Sequence, residues 1–385
     1  MFVKRFLLLI FFLSIVSIQN FSFAEESNQK AIKSNRIDNY EILSISQPGS
    51  LFYSVTNGII KSAINLNSNL TFIGRANVGL EKVLDKNNIE ILTTRKDYLY
   101  SLSIKTIHND VSDLFYSKEV SESLINNEII ISDLTANLYS LTKGDSMFLI
   151  GLNQQEVEVV VGEIIPDSEI GWFEGVVNKD LGYKLGINRN IQAIIWGNKI
   201  TENHLIEIHK NIKYKKIRLT GRDSTPNRNW VLPTALVKEM FGDFQIKERD
   251  GTWITIDRAW KDENIETKNV PILGRITCHR LMWEPLLGAF NQIIEENLQS
   301  GLSREQFKEA GGCYAPRRIN RFDSGGSISR HAWGIAIDIN TKTGYKPRIV
   351  EIFNDWGFAW GGTWTSPDAM HFELRSLSAS ISQAN

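Results

Sequence analysis

"SRHAWGIAIDIN", residues 329–340, and "DAMHFEL", residues 368–374, decide how the C-terminal part of this chain folds. In a strand, alternate side chains share a face. Across "GIAIDIN" that rule sends Ile335, Ile337 and Ile339 one way and Ala336, Asp338 and Asn340 the other. Across "MHFELR" it sends Met370, Phe372 and Leu374 inward and His371, Glu373 and Arg375 outward. Each stretch therefore offers an apolar face to a core and an opposite face bearing metal-ligand types. Ala336, with almost no side chain, leaves space beside Asp338 for an ion or a substrate.

Two histidines and one carboxylate, His331, Asp338 and His371, leave one position open on a tetrahedral zinc ion (Zn2+). That is the composition of a catalytic site rather than a closed structural one. Zinc lowers the pKa of water towards about 7 and polarises a peptide carbonyl, but a general base must still take the proton. Asp368 follows "SP" three residues before His371, in a turn able to bend its carboxylate back towards the site. Glu373 competes for that role, or else orients a ligand histidine.

The surrounding sequence supplies a domain to hold these strands. Pro285 opens a helix in which Leu286, Leu287, Phe290, Ile293, Ile294 and Leu298 recur at three-to-four spacing until Gly301. A second helix is expected over "PRIVEIFNDWG", from Pro347 to Gly357, between the two strands. Residues 228–385 thus read as an α+β domain with a small antiparallel sheet and flanking helices. Eight of the ten tryptophans fall in this part. A basic run, "HKNIKYKKIRL", and then "GRDSTPNRNW" mark a linker at 213–227. The two cysteines, Cys278 and Cys313, are expected to pair in an exported chain, stabilising the fold by about 4 kcal/mol for a loop of this length.

Residues 25–212 read as a β-rich region of unknown role, with short apolar runs such as "NEIIIS", "SMFLIGL" and "EVEVVVGEI" set between turn residues. His108, His204 and His209 are scattered there and form no constellation. At the start, Lys4 and Arg5 precede an apolar run from Phe6 to Ile18 and then "SFAEE", the pattern of a signal peptide over residues 1–24. The expected location is periplasmic or secreted, with no stable membrane span after cleavage. A formal net charge of −1, from 43 basic and 44 acidic residues, gives no footprint for nucleic acid.

"SRHAWGIAID" resembles the SxHxxGxAxD signature of the D-alanyl-D-alanine carboxypeptidase and VanY-type zinc peptidases. "WGGTWTSPDAMHFEL" is similar to the closing segment of their L-alanyl-D-glutamate endopeptidase relatives. The resemblance covers about 228–375. It implies a Hedgehog/DD-peptidase-like domain, zinc held by His331, Asp338 and His371, and Asp368 as catalytic base. It also implies an arginine that steadies the substrate carbonyl, for which "GCYAPRRI" offers Arg317, with Arg318 adjacent. The implied partners are peptidoglycan stem peptides. Asp368 and Met370, where the vancomycin-resistance enzymes typically carry Glu and Trp, tilt the match towards the endopeptidase branch. The N-terminal region resembles extracytoplasmic domains of FtsX-type permeases, which implies no activity but leaves room for a protein partner. Two other readings are a cysteine peptidase using Cys313 and His331, and a non-catalytic protein that binds cell-wall peptide through a peptidase-like domain.

Overall fold

A computed structural model describes residues 43–377 except 48–49, 172, 199–200, 213–217, 221–230, 311 and 365–366. The expected leader, residues 1–24, lies outside the described residues. Among them, no helix is long and apolar enough to cross a membrane.

The N-terminal region carries ten strands: β1 (Leu43–Ser46), β2 (Asn69–Leu84), β3 (Glu90–Thr93), β4 (Tyr100–Ile107), β5 (Ile129–Ser132), β6 (Ser146–Ile150), β7 (Glu156–Ile165), β8 (Gly175–Asn178), β9 (Asn190–Trp196) and β10 (Arg218–Thr220). Nine of them run through one sheet in the order β10-β1-β9-β2-β4-β8-β5-β7-β6, and β3 joins it by pairing with β2. A further pairing of β6 with β2 closes the run from β2 to β6 into a barrel. The 16-residue β2 makes this closure work: its first part pairs with β9, its middle with β4 and its last part with β6. Irregular register at Leu80/Lys82 supplies the local bend. The barrel interior is apolar, with Ala76, Val78, Leu80, Leu102, Ile104, Ile129, Met147, Val159 and Val177 all buried. In β7, Val159 and Val161 are buried while Glu156, Glu158 and Val160 face solvent, as alternation requires. Helices such as Tyr53–Asn65 and Lys118–Ile125 interrupt the strands and were not evident from the β-type runs. Arg218–Thr220, inside the stretch expected to be linker, is instead a strand paired with β1.

The C-terminal part is α+β. It holds two hairpins, β11 (Ile246–Glu248) with β12 (Ile254–Ile256) and β13 (Ile265–Val270) with β14 (Gly274–His279). The third sheet places β17 (His371–Leu374) between β15 (Ala336–Asp338) and β16 (Phe358–Trp360), all antiparallel. Helix Pro347–Asp355, with Pro347 at its first turn, packs on this sheet, and helix Trp283–Glu295 packs against that helix. Phe353 of the latter stacks on Phe372 at 4.3 Å and meets Phe290 edge-on at 5.9 Å. Ile335, Ile337, Ile339 and Phe372 are all fully buried in this core. Met370, expected to face inward, is half-exposed because the strand begins only at His371. Cys278 and Cys313 are joined in a disulfide, with Cα atoms 5.4 Å apart. That removes Cys313 as a free nucleophile.

Among the described residues, one apolar cluster lies beyond residue 231 and three lie before residue 213. The two parts nonetheless share a polar interface. Lys238, on helix Thr234–Phe241, is almost wholly buried, and its Nζ lies 2.8 Å from Glu174 of the barrel and 3.3 Å from Asp243. It also donates to Tyr139 Oη and to the Ser101 carbonyl. Burial alone would lower the lysine pKa, but Asp243 and Glu174 overcome it and hold the ammonium charged. Removing this cation leaves two carboxylates buried without a counter-charge, so Lys238→Ala should lower stability in urea denaturation by about 3–5 kcal/mol. Lys247→Ala breaks the exposed pair with Asp97 that crosses the same boundary and should change it by less than about 1 kcal/mol. Equal effects of the two substitutions would contradict this assignment.

Candidate metal centre

The site is built on one cross-strand pair. In β15 and β17, Asp338 lies opposite His371, Ile337 opposite Phe372, and Ala336 opposite Glu373. The amide of Ile339 donates to the Met370 carbonyl and that of Leu374 to the Ile335 carbonyl. Asp338 and His371 therefore form a non-hydrogen-bonded pair, the closer of the two antiparallel spacings. Their side chains meet with His371 Nδ1 2.9 Å from Asp338 Oδ1. The same register places Glu373 on this face, its Oε2 3.2 Å from His371 Nε2, opposite an alanine that does not crowd it.

The third ligand type arrives from a turn, not from a strand. His331 sits on the single helical turn Arg330–Trp333, capped at its start by the Ser329 hydroxyl, which accepts from the His331 amide. Gly334 ends the turn at φ +69°, where a Cβ would lie 2.7 Å from the His279 amide nitrogen; only glycine satisfies both demands. The His331 ring then points back at β15, with Nε2 3.2 Å from Asp338 Oδ2. Its Nδ1 donates to the Cys313 carbonyl at 2.9 Å. This makes Nδ1 a donor and turns Nε2 into the site, where it is buried and makes no hydrogen bond.

The face that alternation places opposite the core is not wet. His331 is 2% exposed, Asp338 4%, Glu373 4% and His371 7%. Burial pushes the Asp338 carboxyl up, but the two histidines overcome it and hold it well below the usual carboxylate range. Burial likewise pushes His371 down, and its bonds to Asp338 and Glu373 lift it to about 9. One ligand atom from each of His331, Asp338 and His371 lies within 4.8 Å of the others. The donor set fits a divalent ion: an orphaned imidazole nitrogen, a carboxylate held anionic, and a second imidazole whose far nitrogen faces an acceptor. Acceptors of this kind would orient the two histidines if a metal bound: the Cys313 carbonyl for His331 and Glu373 for His371.

Asp368 lies in the turn before β17, half-buried, its amide donating to Gly361 and its carbonyl accepting from His371. Burial raises its pKa; Asp338 adds to the rise, while the two histidines and Arg317 oppose it. Arg317 is thus within electrostatic reach of Asp368. Its neighbour Arg318 is committed elsewhere: its guanidinium, 1% exposed, binds Glu248 at 2.6 Å and the Gly326 carbonyl at 2.7 Å. Asn340, on the same face as Asp338, is consumed by backbone groups of Gly301, Ser303 and Gly344. Trp364 stands 5.2 Å from the His371 ring, and its indole nitrogen is buried without a partner. Sequence reasoning gave Trp364 no place in the site, and only its closeness to His371 in the chain hinted at one.

Loss of any ligand should collapse metal binding, whereas loss of an orienting carboxylate should weaken it. Competition with a chromophoric chelator is expected to show zinc affinity reduced more than about 100-fold by His331→Ala, Asp338→Ala or His371→Ala, and about 10-fold by Glu373→Gln. Wild-type affinity in His331→Ala would remove that residue from the site.

No curated protein matches this chain. Among solved structures, the extracellular domain of the noncanonic ABC-type transporter YknZ from Gram-positive bacteria aligns over 46% of this chain and 99% of its own, at 12% identity and a TM-score of 0.25. A likeness that slight carries no weight for fold or function. Residues 323–374, which hold His331, Asp338, Asp368 and His371 and stop short of Arg317, match the D-alanyl-D-alanine carboxypeptidase family.

Proposed function

We propose that this protein is an exported zinc metallopeptidase that hydrolyses peptidoglycan stem peptides, in the manner of a D-alanyl-D-alanine carboxypeptidase or an L-alanyl-D-glutamate endopeptidase. Its place of action is then periplasmic or extracellular, and residues 228–385 form a Hedgehog/DD-peptidase-like domain. The observation that carries this reading is the buried His331–Asp338–His371 group, with its orphaned Nε2, inside the segment that matches the peptidase family.

His331 through Nε2, His371 through Nδ1 and Asp338 would hold zinc. When bound, zinc polarises the scissile carbonyl and makes water acidic enough to be deprotonated near neutral pH. The chain supplies the rest. Asp368, its basicity raised by burial, takes the proton from the attacking water and returns it to the leaving amine. Arg317, whose charge acts on Asp368, steadies the negative charge that develops on the carbonyl oxygen. Glu373 and the Cys313 carbonyl keep the two imidazoles in the required tautomers and orientations.

Mass spectrometry of defined muropeptides, incubated with zinc-loaded protein and with a chelated control, tests the reading. Zinc-dependent loss of a terminal D-Ala or scission of an L-Ala–D-Glu bond is expected. Asp368→Ala should keep zinc yet lose about 100- to 10,000-fold in turnover, and Arg317→Ala should lose turnover with little change in zinc affinity. A protein that binds zinc and muropeptide but releases no product would instead be a peptide-binding module.

A further inference from the structure

The ribbon that leads into the candidate site touches the barrel. Arg317 and His331 flank the open end of a short ribbon in which 317–319 runs antiparallel to 327–329. Ile319 donates to the Ser327 carbonyl, Ser329 donates to the Arg317 carbonyl, and Arg318 bridges Ile328. Ser329 in turn caps the His331 turn, and the Ala315 amide binds the His331 carbonyl at 2.9 Å. The tip of this ribbon rests on β2 of the barrel. Arg75 donates to the Ser327 hydroxyl at 2.8 Å, and that hydroxyl donates to the Asn77 side-chain oxygen at 3.1 Å. The Asn77 amide reaches the Gly325 carbonyl at 3.3 Å. Gly325, at φ +70°, lies so close to the barrel that a Cβ there would stand 2.9 Å from that of Ala76. Arg75 is itself steadied over the Phe173 ring, 5.9 Å from its centroid.

We propose that the N-terminal barrel is a working part of the site: Arg75 and Asn77 are positioning residues that fix the ribbon holding Arg317 and His331. The base of the ribbon is held by the C-terminal part: Arg317 bridges Trp253, the Arg318 amide donates to the Thr252 carbonyl, the Arg318 guanidinium pairs with Glu248, and Ile328 is buried in the core. Its tip is a tight turn with exposed residues at 319–321 and 323, and β2 braces it from the other side. Clamped from both sides, Arg317 and His331 keep a fixed separation; released on the barrel side, the tip swings and takes the His331 turn with it. The catalytic consequence rests on the peptidase reading. The order of the ribbon does not, since it is a property of the metal-free protein.

Hydrogen exchange of the full-length, metal-free protein, read by mass spectrometry over 325–333, separates the two. Arg75→Ala and Ser327→Ala should each speed exchange there about 10-fold, the double variant should be no faster than either single one, and Arg75→Lys should restore most of the protection. Lys247→Ala, at the exposed rim of the same interface, should leave this segment unchanged. Cobalt(II) titration of the same variants should show a weakened visible absorption band and affinity reduced about 10-fold for Arg75→Ala, recovering in Arg75→Lys. Asn77→Ala is expected to behave like Ser327→Ala; should it fail to fold, the other two variants decide. Unchanged exchange over 325–333 in both Arg75→Ala and Ser327→Ala, with native melting temperatures, would overturn the proposal. Faster exchange in a protein that cuts no muropeptide would leave the clamp standing and remove the peptidase reading instead.

Discussion

The direct opposition of Asp338 and His371 across two antiparallel strands is the constraint from which the rest of the C-terminal structure follows. A slip of one residue would turn His371 and Glu373 into the aromatic and aliphatic core and swing Phe372 outward. The register is held by that core: Ile335, Ile337, Ile339 and Phe372 are fully buried, and Phe353 stacks on Phe372. Packing on one face of a three-stranded sheet therefore sets the chemistry on the other. His331 need only be brought to a position that the strands already define, and one capped helical turn ending in Gly334 does so.

Burying this group is costly unless every charge has a partner. An isolated carboxylate at 4% exposure would give up its charge, yet two imidazoles keep Asp338 anionic, and His371 is braced on its far side by Glu373. Glu373 in turn faces Arg330, 3.9 Å away, whose guanidinium donates to the Leu232 carbonyl. The disulfide contributes as well: it ties Cys313, whose carbonyl orients His331, to β14. His331 Nε2, 3.2 Å from Asp338 Oδ2 yet without a hydrogen bond, is the atom a metal would claim.

Much of this was legible in the sequence because it is local. Period-two alternation separated the isoleucines from Asp338, Pro347 marked a helix start, and the cysteine pair anticipated the disulfide. What depends on distant pairing was not. The turn that carries His331 was not read, because nothing nearby shows that Ser329 caps it and that Gly334 must reverse the chain. The polar face read as outward, and its burial follows from that turn folding over the sheet. Barrel closure through β2 and β6, and the pairing of Arg218–Thr220 with β1, join residues far apart in the chain, and no local pattern announces them. Lys238 looks like an ordinary surface lysine of an amphipathic helix; only the arrival of Glu174 from the barrel explains its burial.

The region before residue 213 thus enters the structure through polar contacts rather than through a shared core, at Lys238 on one side and at Ser327 on the other. All of this assigns purpose to one small group of side chains, so the decisive observation is what surrounds an ion bound there. X-ray absorption at the zinc edge of the loaded, dialysed protein measures it directly. Two imidazole nitrogens with oxygen completing the coordination, and no sulfur, is the expected result, and His371→Ala should retain far less zinc after the same dialysis. Zinc that washes out completely, or a spectrum that contains no imidazole scattering, would contradict it.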